Sequence, residues 1–296
     1  MSVQFRAIAA DAGAFRLLGG MLLCLALVLP SPVRAQAPDI ADDTAAAQLI
    51  AVMRLDDIVS IMRLEGLAHG EDLDRDILAG RGGAEWRDRV AAIYDEARMV
   101  SVMTTTMANE LAQEDDTITA ALEFFGSDLG QQILSLEISA REAMLEDGID
   151  DAARASAGRL LAERGERYGL LSDFIEANDL MEQNVAGALN ASLAFYLAFV
   201  EAGALPFDLP EQDVMADIWA TEPEVRNETR DWLYAFLGMA YAPLSADDLA
   251  RYTAFSATPE GQTLNRALFA GFDAMFLSVS VELGRAAGQR LSGLDL

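Results

Sequence analysis

The chain has 296 residues, and its 48 acidic and 21 basic residues give a formal net charge of −27 at pH 7. All 21 basic residues are arginine, so a Schiff-base lysine and a P-loop lysine are excluded. The acidic balance argues against nucleic acids and anionic membrane surfaces as partners, because their phosphate groups would repel the protein. Hydrophobic residues make up 52% of the sequence, and the length is that of one large or two modest domains.

Residues 1–35 are predicted to be a signal peptide. Two arginines precede an apolar run from Leu17 to Pro30, which has the length of a signal-peptide core and is too short to span a bilayer comfortably. Cleavage is predicted after Ala35, and an uncleaved N-terminal anchor is the alternative. The single cysteine, Cys24, lies inside this run, so the mature chain would have neither a disulfide nor a thiolate. Export and the lack of cysteine favour the periplasm of a Gram-negative bacterium.

The sequence after Pro38 is predicted to be almost entirely α-helical, since apolar residues recur at i, i+3 and i+4 and strand-like alternation is missing. Residues 36–168 form the predicted N-terminal helical half. Its helices are expected from Asp42 or Asp43 to Leu67, from about Glu85 to Leu111, from Asp116 to Phe125, from Ser127 towards Leu145, and from near Gly148 to Arg167.

Residues 169–296 form the predicted C-terminal helical half. Its helices are expected from Leu170 to Ala202, from Thr221 to about Tyr241, from Ser245 to Phe255, and onwards from Thr258. The segment from Gly203 to Pro210 contains two prolines and lacks periodicity, so it is predicted to be an internal linker. The fold class is therefore predicted as all-α, with two related helical halves packed as a bundle and joined near this linker.

Two segments support the relation between the halves: ALEFFGSDLGQ, which begins at Ala121, and YTAFSATPEGQ, which begins at Tyr252. They align without gaps at an offset of 131 residues (124 to 255). A glycine inside a helix costs about 1 kcal/mol relative to alanine, so two glycines in register indicate a packing role. The predicted structural signature is an aromatic residue that ends a short helix, an N-cap, a glycine one turn later and a glutamine: Phe124, Ser127, Gly130 and Gln131, and then Phe255, Thr258, Pro259, Gly261 and Gln262.

The second copy resembles the signature of a bacterial exported family called domain of unknown function 2059 (DUF2059). The resemblance rests on an acidic helix start, an aromatic residue and a Thr-Pro-x-Gly-x-x-Leu corner, at Ser245, Asp248, Leu249, Phe255, Thr258, Pro259, Gly261 and Leu264. Ser256 stands where an aromatic residue is more usual, and Asp128 replaces the proline in the first copy. The resemblance implies an all-helical exported domain and brings no established activity or catalytic residue.

No catalytic residue, cofactor or metal site is predicted. His69 is the only histidine, so it lacks the partners that a metal site or a catalytic triad needs. Four carboxylates lie within strongly apolar predicted helices and are the acid–base candidates: Glu137, Glu142, Asp273 and Glu282. They are expected to face solvent or to pair with Arg141, Arg266 or Arg285.

Two stretches, from Val185 to Leu205 and from Ala267 to Leu283, are apolar enough to raise the question of a membrane span. A buried core helix is favoured for both, because each contains a carboxylate that is costly at mid-bilayer and neither has a flanking positive cluster. An oligomer interface and a membrane span are the alternatives. Gly187 and Ala191 belong to a stripe of small residues that would allow close helix packing.

The sequence lacks a recognisable catalytic motif. It therefore favours a non-catalytic periplasmic protein that binds a protein partner or a small apolar ligand. The alternatives are a hydrolase or lyase that uses a buried carboxylate, such as Asp273 or Glu142, and a membrane-associated helical protein. An apolar cavity without a buried acid would support binding, whereas a deep cleft with convergent acids and arginine would support catalysis.

Overall fold

A computed structural model of the chain describes residues 44–204 and 210–294. The predicted signal peptide, its cleavage site at Ala35 and residues 205–209 of the predicted linker lie outside these ranges. Within them all regular secondary structure is α-helical, which confirms the predicted all-α class. The described helices are α1 Ala45–Val52, α2 Leu55–Asp76, α3 Gly83–Ile93, α4 Glu96–Glu110, α5 Asp115–Phe125, α6 Asp128–Ala143, α7 Ile149–Glu163, α8 Glu166–Ala177, α9 Leu180–Glu201, α10 Glu211–Trp219, α11 Glu222–Ala240, α12 Ala246–Ser256 and α13 Pro259–Leu294.

Three of the predicted long helices are each two helices in the structure. The chain breaks between α1 and α2 at Arg54 and between α8 and α9 at Asp179, which both adopt the left-handed conformation, with φ of 55° and 50°. Between α3 and α4 the break falls at Tyr94 and Asp95, and the Asp95 carboxylate caps α4 by accepting a hydrogen bond from the Arg98 backbone N–H at 2.9 Å. None of these three breaks contains a glycine or a proline. The apolar periodicity therefore predicted a continuous helix at each of them.

The helix order repeats along the chain. Helices α2 and α9 both have 22 residues, and the left-handed residues that precede them are 125 apart (54 to 179). Helices α5 and α12 both have 11 residues, and they begin 131 apart (115 to 246). Helices α6 and α13 begin at the same offset (128 to 259), although α13 continues to 36 residues.

Helix α13 packs most extensively against α9 and also contacts α4 and α5. A Cβ added at Gly284 would lie 2.1 Å from the Phe195 carbonyl oxygen, and one added at Gly288 would lie 2.5 Å from that of Phe199. The contacts advance in the same direction on both helices, so α9 and α13 run parallel. The glycines that allow this close approach are therefore on α13, whereas the sequence pattern had placed the small residues on α9.

Both apolar stretches pack inside the fold. Most of the Val185–Leu205 stretch lies in α9, where twelve side chains or glycines are buried. Pro259–Gly293, in α13, is the one helix among the described residues that is long and apolar enough to cross a membrane. Within its most apolar part, 56% of the residues are buried inside the protein.

Candidate functional site

The first signature segment forms a tight corner between α5 and α6. The Ser127 hydroxyl accepts a hydrogen bond from the Gly130 N–H at 3.1 Å and donates one to the Phe124 carbonyl at 2.6 Å. A Cβ at Gly130 would lie only 2.2 Å from that same carbonyl oxygen. The serine therefore caps α6 in the way its sequence position predicts, and the glycine allows the backbone of α5 to pass close by.

The second segment forms the same corner between α12 and α13. The Thr258 hydroxyl accepts from the Gly261 N–H at 3.0 Å and donates to the Phe255 carbonyl at 2.7 Å. A Cβ at Gly261 would lie 2.2 Å from the Phe255 carbonyl oxygen. Pro259 is the first residue of α13, where its missing N–H leaves no hydrogen bond unmade.

Each signature glutamine joins the ends of two helices. Gln131 Nε2 donates to the carbonyls of Val52 at 3.1 Å and Phe125 at 2.7 Å, which end α1 and α5. Gln262 Nε2 donates to the carbonyl of Ala177, which ends α8, and at 2.8 Å to the carbonyl that ends α12. The role of these glutamines was not assigned from the sequence, although their shared offset pointed to one.

The two corners meet through their aromatic residues. The rings of Phe124 and Phe255 stack with centroids 4.2 Å apart and planes 7° apart. The Tyr252 ring also stacks on that of Phe124, with the two ring centroids 5.5 Å apart. The signature residues of the two segments are therefore in direct contact.

A cavity of about 180 Å³ lies beside these corners, and its lining includes Phe125 of the first signature segment and Tyr252 of the second. Most of its lining is apolar, and six of the lining residues are aromatic: Phe125, Phe174, Phe236, Tyr241, Tyr252 and Phe272. Polar groups enter it at four lining positions: Glu137, Arg141, Asn178 and Asn265. This cavity is the candidate functional site.

Three positions of α6 and three of α13 face the cavity at the 131-residue offset. The pairs are Leu134 with Asn265, Glu137 with Leu268, and Arg141 with Phe272. In every pair one residue is polar and the other is apolar. The cavity therefore has matching backbone positions on its two sides, but its charged groups all come from α6.

Glu137 carries the distinctive chemistry of the cavity. The Tyr241 hydroxyl donates to its Oε1 at 2.5 Å, and the Tyr252 hydroxyl also hydrogen-bonds to the carboxyl group. Burial raises the pKa of Glu137 to about 7, although both tyrosine hydrogen bonds act to lower it. Burial also raises the pKa of Tyr241 and of Tyr252 well above the usual value, so both phenols stay protonated donors.

The arginine of the cavity is already paired. Arg141 Nε and one terminal nitrogen donate to the two Glu65 carboxylate oxygens at 2.9 and 2.8 Å, a bidentate pair that joins α6 to α2. The Arg141 side chain is only 10% exposed. Because its charge is matched by Glu65, Arg141 brings little net positive charge to the cavity.

The other predicted acid–base candidates lie away from the cavity. Glu142 is exposed on α6, and Glu282 pairs with Arg98 rather than with the arginines proposed from the sequence. Asp273 is half-buried on α13, and burial raises its pKa to about 8. The four carboxylates were expected to face solvent or to pair with Arg141, Arg266 or Arg285. Glu142 does face solvent, but the expected pairs are wrong: Arg141 pairs with Glu65, Arg266 contacts Thr263, and Arg285 pairs with Glu201 at 3.9 Å.

His69 is buried in a separate, smaller cavity of about 30 Å³. Its Nδ1 and the hydroxyl of Ser192, which also lines this cavity, have no hydrogen-bond partner among the described residues. Burial lowers the pKa of His69 to about 4, so the imidazole is neutral at pH 7. A space of this size holds about one water molecule, which is too small for an organic ligand.

No family model, no curated protein and no solved structure matches the chain. In the part of the chain that the structure describes, no group of three or more histidine, cysteine or acidic residues is placed to hold a metal ion. The chemistry available to the candidate site is therefore that of a small, mostly apolar cavity with six aromatic residues and one carboxyl group of pKa about 7.

Proposed function

We propose that the chain is a non-catalytic helical protein that binds a small, largely apolar ligand in the cavity between α6 and α13. The observation that carries this proposal is the 180 Å³ cavity itself. Folded interiors rarely leave space much larger than a water molecule, and an apolar cavity of roughly 150 Å³ is known to hold benzene. The cavity is smaller than the roughly 300 Å³ of sites for drug-sized ligands, so the ligand is of the size of a single ring.

We also propose that the chain consists of two related helical halves, residues 36–168 and 169–296, that arose by duplication. The support is the identical capping and glutamine hydrogen bonds at the two corners and their constant offset. In this arrangement the cavity lies where equivalent helices of the two halves meet. The predicted linker from Gly203 to Pro210 would then connect α9 to α10 inside the second half rather than join the halves, so the junction belongs near residue 168.

We further propose that the chain belongs to the DUF2059 family and is exported to the periplasm. The support is the sequence of the second corner, together with the predicted signal peptide at residues 1–35. A periplasmic binding protein would meet small molecules that have crossed the outer membrane, which is compatible with a ligand of single-ring size.

The cavity meets the criterion for binding only in its apolar lining, because Glu137 and Arg141 also line it. Acid–base catalysis is therefore the second candidate function, and Glu137 is the observation that favours it. A carboxyl group with a pKa of about 7 is tuned to exchange protons at neutral pH. Glu137 replaces Asp273 and Glu142 as the candidate base, because it is the carboxyl group that lines the cavity. Mass spectrometry of a bound ligand before and after incubation separates the two functions, since binding returns the ligand unchanged.

The test of the binding function is titration of the purified full chain with ethylbenzene, followed by calorimetry or NMR. We expect saturable binding with a Kd below about 1 mM, and we expect Leu268→Trp, which fills the cavity, to abolish it. Leu277→Trp is the matched control, because Leu277 is 48% exposed on the same helix and does not line the cavity.

Binding that survives in Leu268→Trp would place the ligand elsewhere. Failure of every single-ring ligand tested to bind, together with a denatured extract of the purified protein that contains no small molecule, would reject the binding function. Thermal unfolding of both variants checks that they fold.

A further inference from the structure

We propose that the ligand is a small organic cation, an amine or ammonium compound whose charged group lies against Glu137 and whose apolar part fills the aromatic cavity. This inference rests on the proposed binding function, and it assigns the chemical class of the ligand. The space available sets a size of about eight non-hydrogen atoms.

The first argument is the charge that the cavity leaves unmatched. Within the described residues no arginine forms a salt bridge with Glu137, whose hydrogen bonds come from Tyr241 and Tyr252. Arg141, one helical turn further along α6, is engaged by the bidentate pair with Glu65. Glu137 is half-buried, and a carboxylate that is partly withdrawn from water without a counter-charge is costly, so the cavity favours an occupant that brings a positive charge.

The second argument is the aromatic wall around that carboxyl group. The Phe174 ring centroid lies 4.7 Å from that of Tyr252 and 5.4 Å from that of Tyr241, and all three residues line the cavity. Aromatic rings attract cations through their quadrupole, most strongly when water is excluded. A carboxylate and several aromatic rings around one small space form a site for an ammonium group.

The other ligand classes fit this cavity less well. An anion would face Glu137 while the nearest guanidinium is already neutralised by Glu65. A neutral hydrocarbon would fill the volume but leave the carboxyl group with its two tyrosine partners only. A cation satisfies both the shape and the charge of the site.

The charge state of Glu137 makes the affinity for a cation depend on pH. The groups that face its carboxyl are Tyr241 from α11, Tyr252 from α12, and the Arg141–Glu65 pair from α6 and α2. The raised pKa of the two tyrosines keeps them neutral. Since Glu137 has a pKa of about 7 without ligand, its ionised fraction grows about tenfold between pH 6 and pH 8. The affinity for a cation should increase by the same factor.

The experiment compares four ligands of similar shape on the full chain at pH 8: benzylamine as the cation, ethylbenzene and benzyl alcohol as neutral molecules, and phenylacetate as the anion. We expect benzylamine to bind at least about tenfold more tightly than any of the others, and about tenfold more weakly at pH 6. Glu137→Gln should lower the benzylamine affinity about tenfold or more, remove its pH dependence, and leave ethylbenzene binding within about twofold.

Glu142→Gln is the matched control, because it removes an exposed carboxylate from the same helix and should change none of these affinities. Ethylbenzene that binds as tightly as benzylamine would overturn the cation assignment while leaving the binding function intact. If none of the four ligands binds, the binding function itself fails. Should Glu137→Gln not fold, the pH dependence of benzylamine binding to the wild-type chain still decides the assignment.

Discussion

Glu137 and Leu268 occupy matching positions of α6 and α13, 131 residues apart (137 to 268), and both line the cavity. The two positions both face the cavity, but Glu137 has an acidic side chain and Leu268 has an apolar one. Together with the pair Arg141 and Phe272, this exchange places both charged groups of the cavity on α6. The function proposed here depends on that difference between two residues.

Asp273 is a second carboxyl group whose pKa is raised by burial, and it does not line the cavity. Burial raises its pKa to about 8 in the folded chain, whereas an unfolded aspartate has a pKa of about 3.9. The folded state therefore holds its proton between pH 4 and pH 8, and the unfolded state does not. The free energy of unfolding should fall as pH rises through that window.

We expect Asp273→Asn to be more stable than the wild type by about 3 kcal/mol at pH 8. The gain should shrink to about 0.5 kcal/mol at pH 4, because asparagine cannot ionise and the wild-type aspartate is then protonated in the folded state and about half protonated in the unfolded state. Urea unfolding at pH 4, 6 and 8 measures the difference. Glu142→Gln, at an exposed position, should show no such trend, and a stability difference for Asp273→Asn that is constant with pH would refute the raised pKa.

At the scale of elements, the two corners hold the helices in place. Each corner combines a hydroxyl cap, a glycine that admits the backbone of the preceding helix, and a glutamine that bridges two helix ends. A side chain larger than hydrogen at Gly130 or Gly261 would meet a carbonyl oxygen at 2.2 Å. Since the obstacle is backbone, it cannot move aside without displacing a helix end.

We therefore expect Gly130→Ala and Gly261→Ala each to lower the free energy of unfolding by about 2 kcal/mol. Gly158→Ala is the matched control, because Gly158 lies within α7 with no atom within 4 Å of an added Cβ. That substitution should raise stability by about 1 kcal/mol. Urea unfolding of the three variants measures the contrast, which disappears if the corners can accommodate a methyl group.

The sequence was sufficient to predict the helix ends at the two corners, where Ser127 and Thr258 cap the helices that follow. Helix α5 and the start of α6 agree with the predicted segments within one residue, as does the start of α13 after Thr258. The breaks at Arg54 and Asp179 were missed, because tertiary packing rather than glycine or proline holds these residues in the left-handed conformation. Thr221, where a helix was predicted to begin, directly precedes α11 but does not cap it: its hydroxyl donates to the Ile218 carbonyl at 2.7 Å.

The cavity could be predicted only in part. Glu137 was a candidate because it lies in an apolar helix, but nothing in the local pattern separates it from Glu142, which is exposed. Its partners Tyr241 and Tyr252 lie more than a hundred residues away. The sequence did contain one indication of the site. Aligning α6 with α13 at the 131-residue offset shows that charged residues of α6 correspond to apolar residues of α13.

At the scale of the whole molecule, the long apolar helices serve as the core around which the cavity is built. Helices α9 and α13 pack in parallel through Gly284 and Gly288, and their apolar side chains are mostly turned inward. Many of the acidic residues that the structure describes are exposed, whereas Glu137 and Asp273 are half-buried. The cavity lies beside this core and is lined by residues of α6 and α13.

Diffraction from crystals of the full chain under xenon pressure tests this claim most directly, because xenon enters apolar cavities of this size. We expect a xenon atom inside the cavity, in contact with apolar lining residues such as Leu268 and Phe174. A co-purified ligand in that same space would support the claim equally. Collapsed side chains that fill the space, with xenon absent from it, would contradict the account.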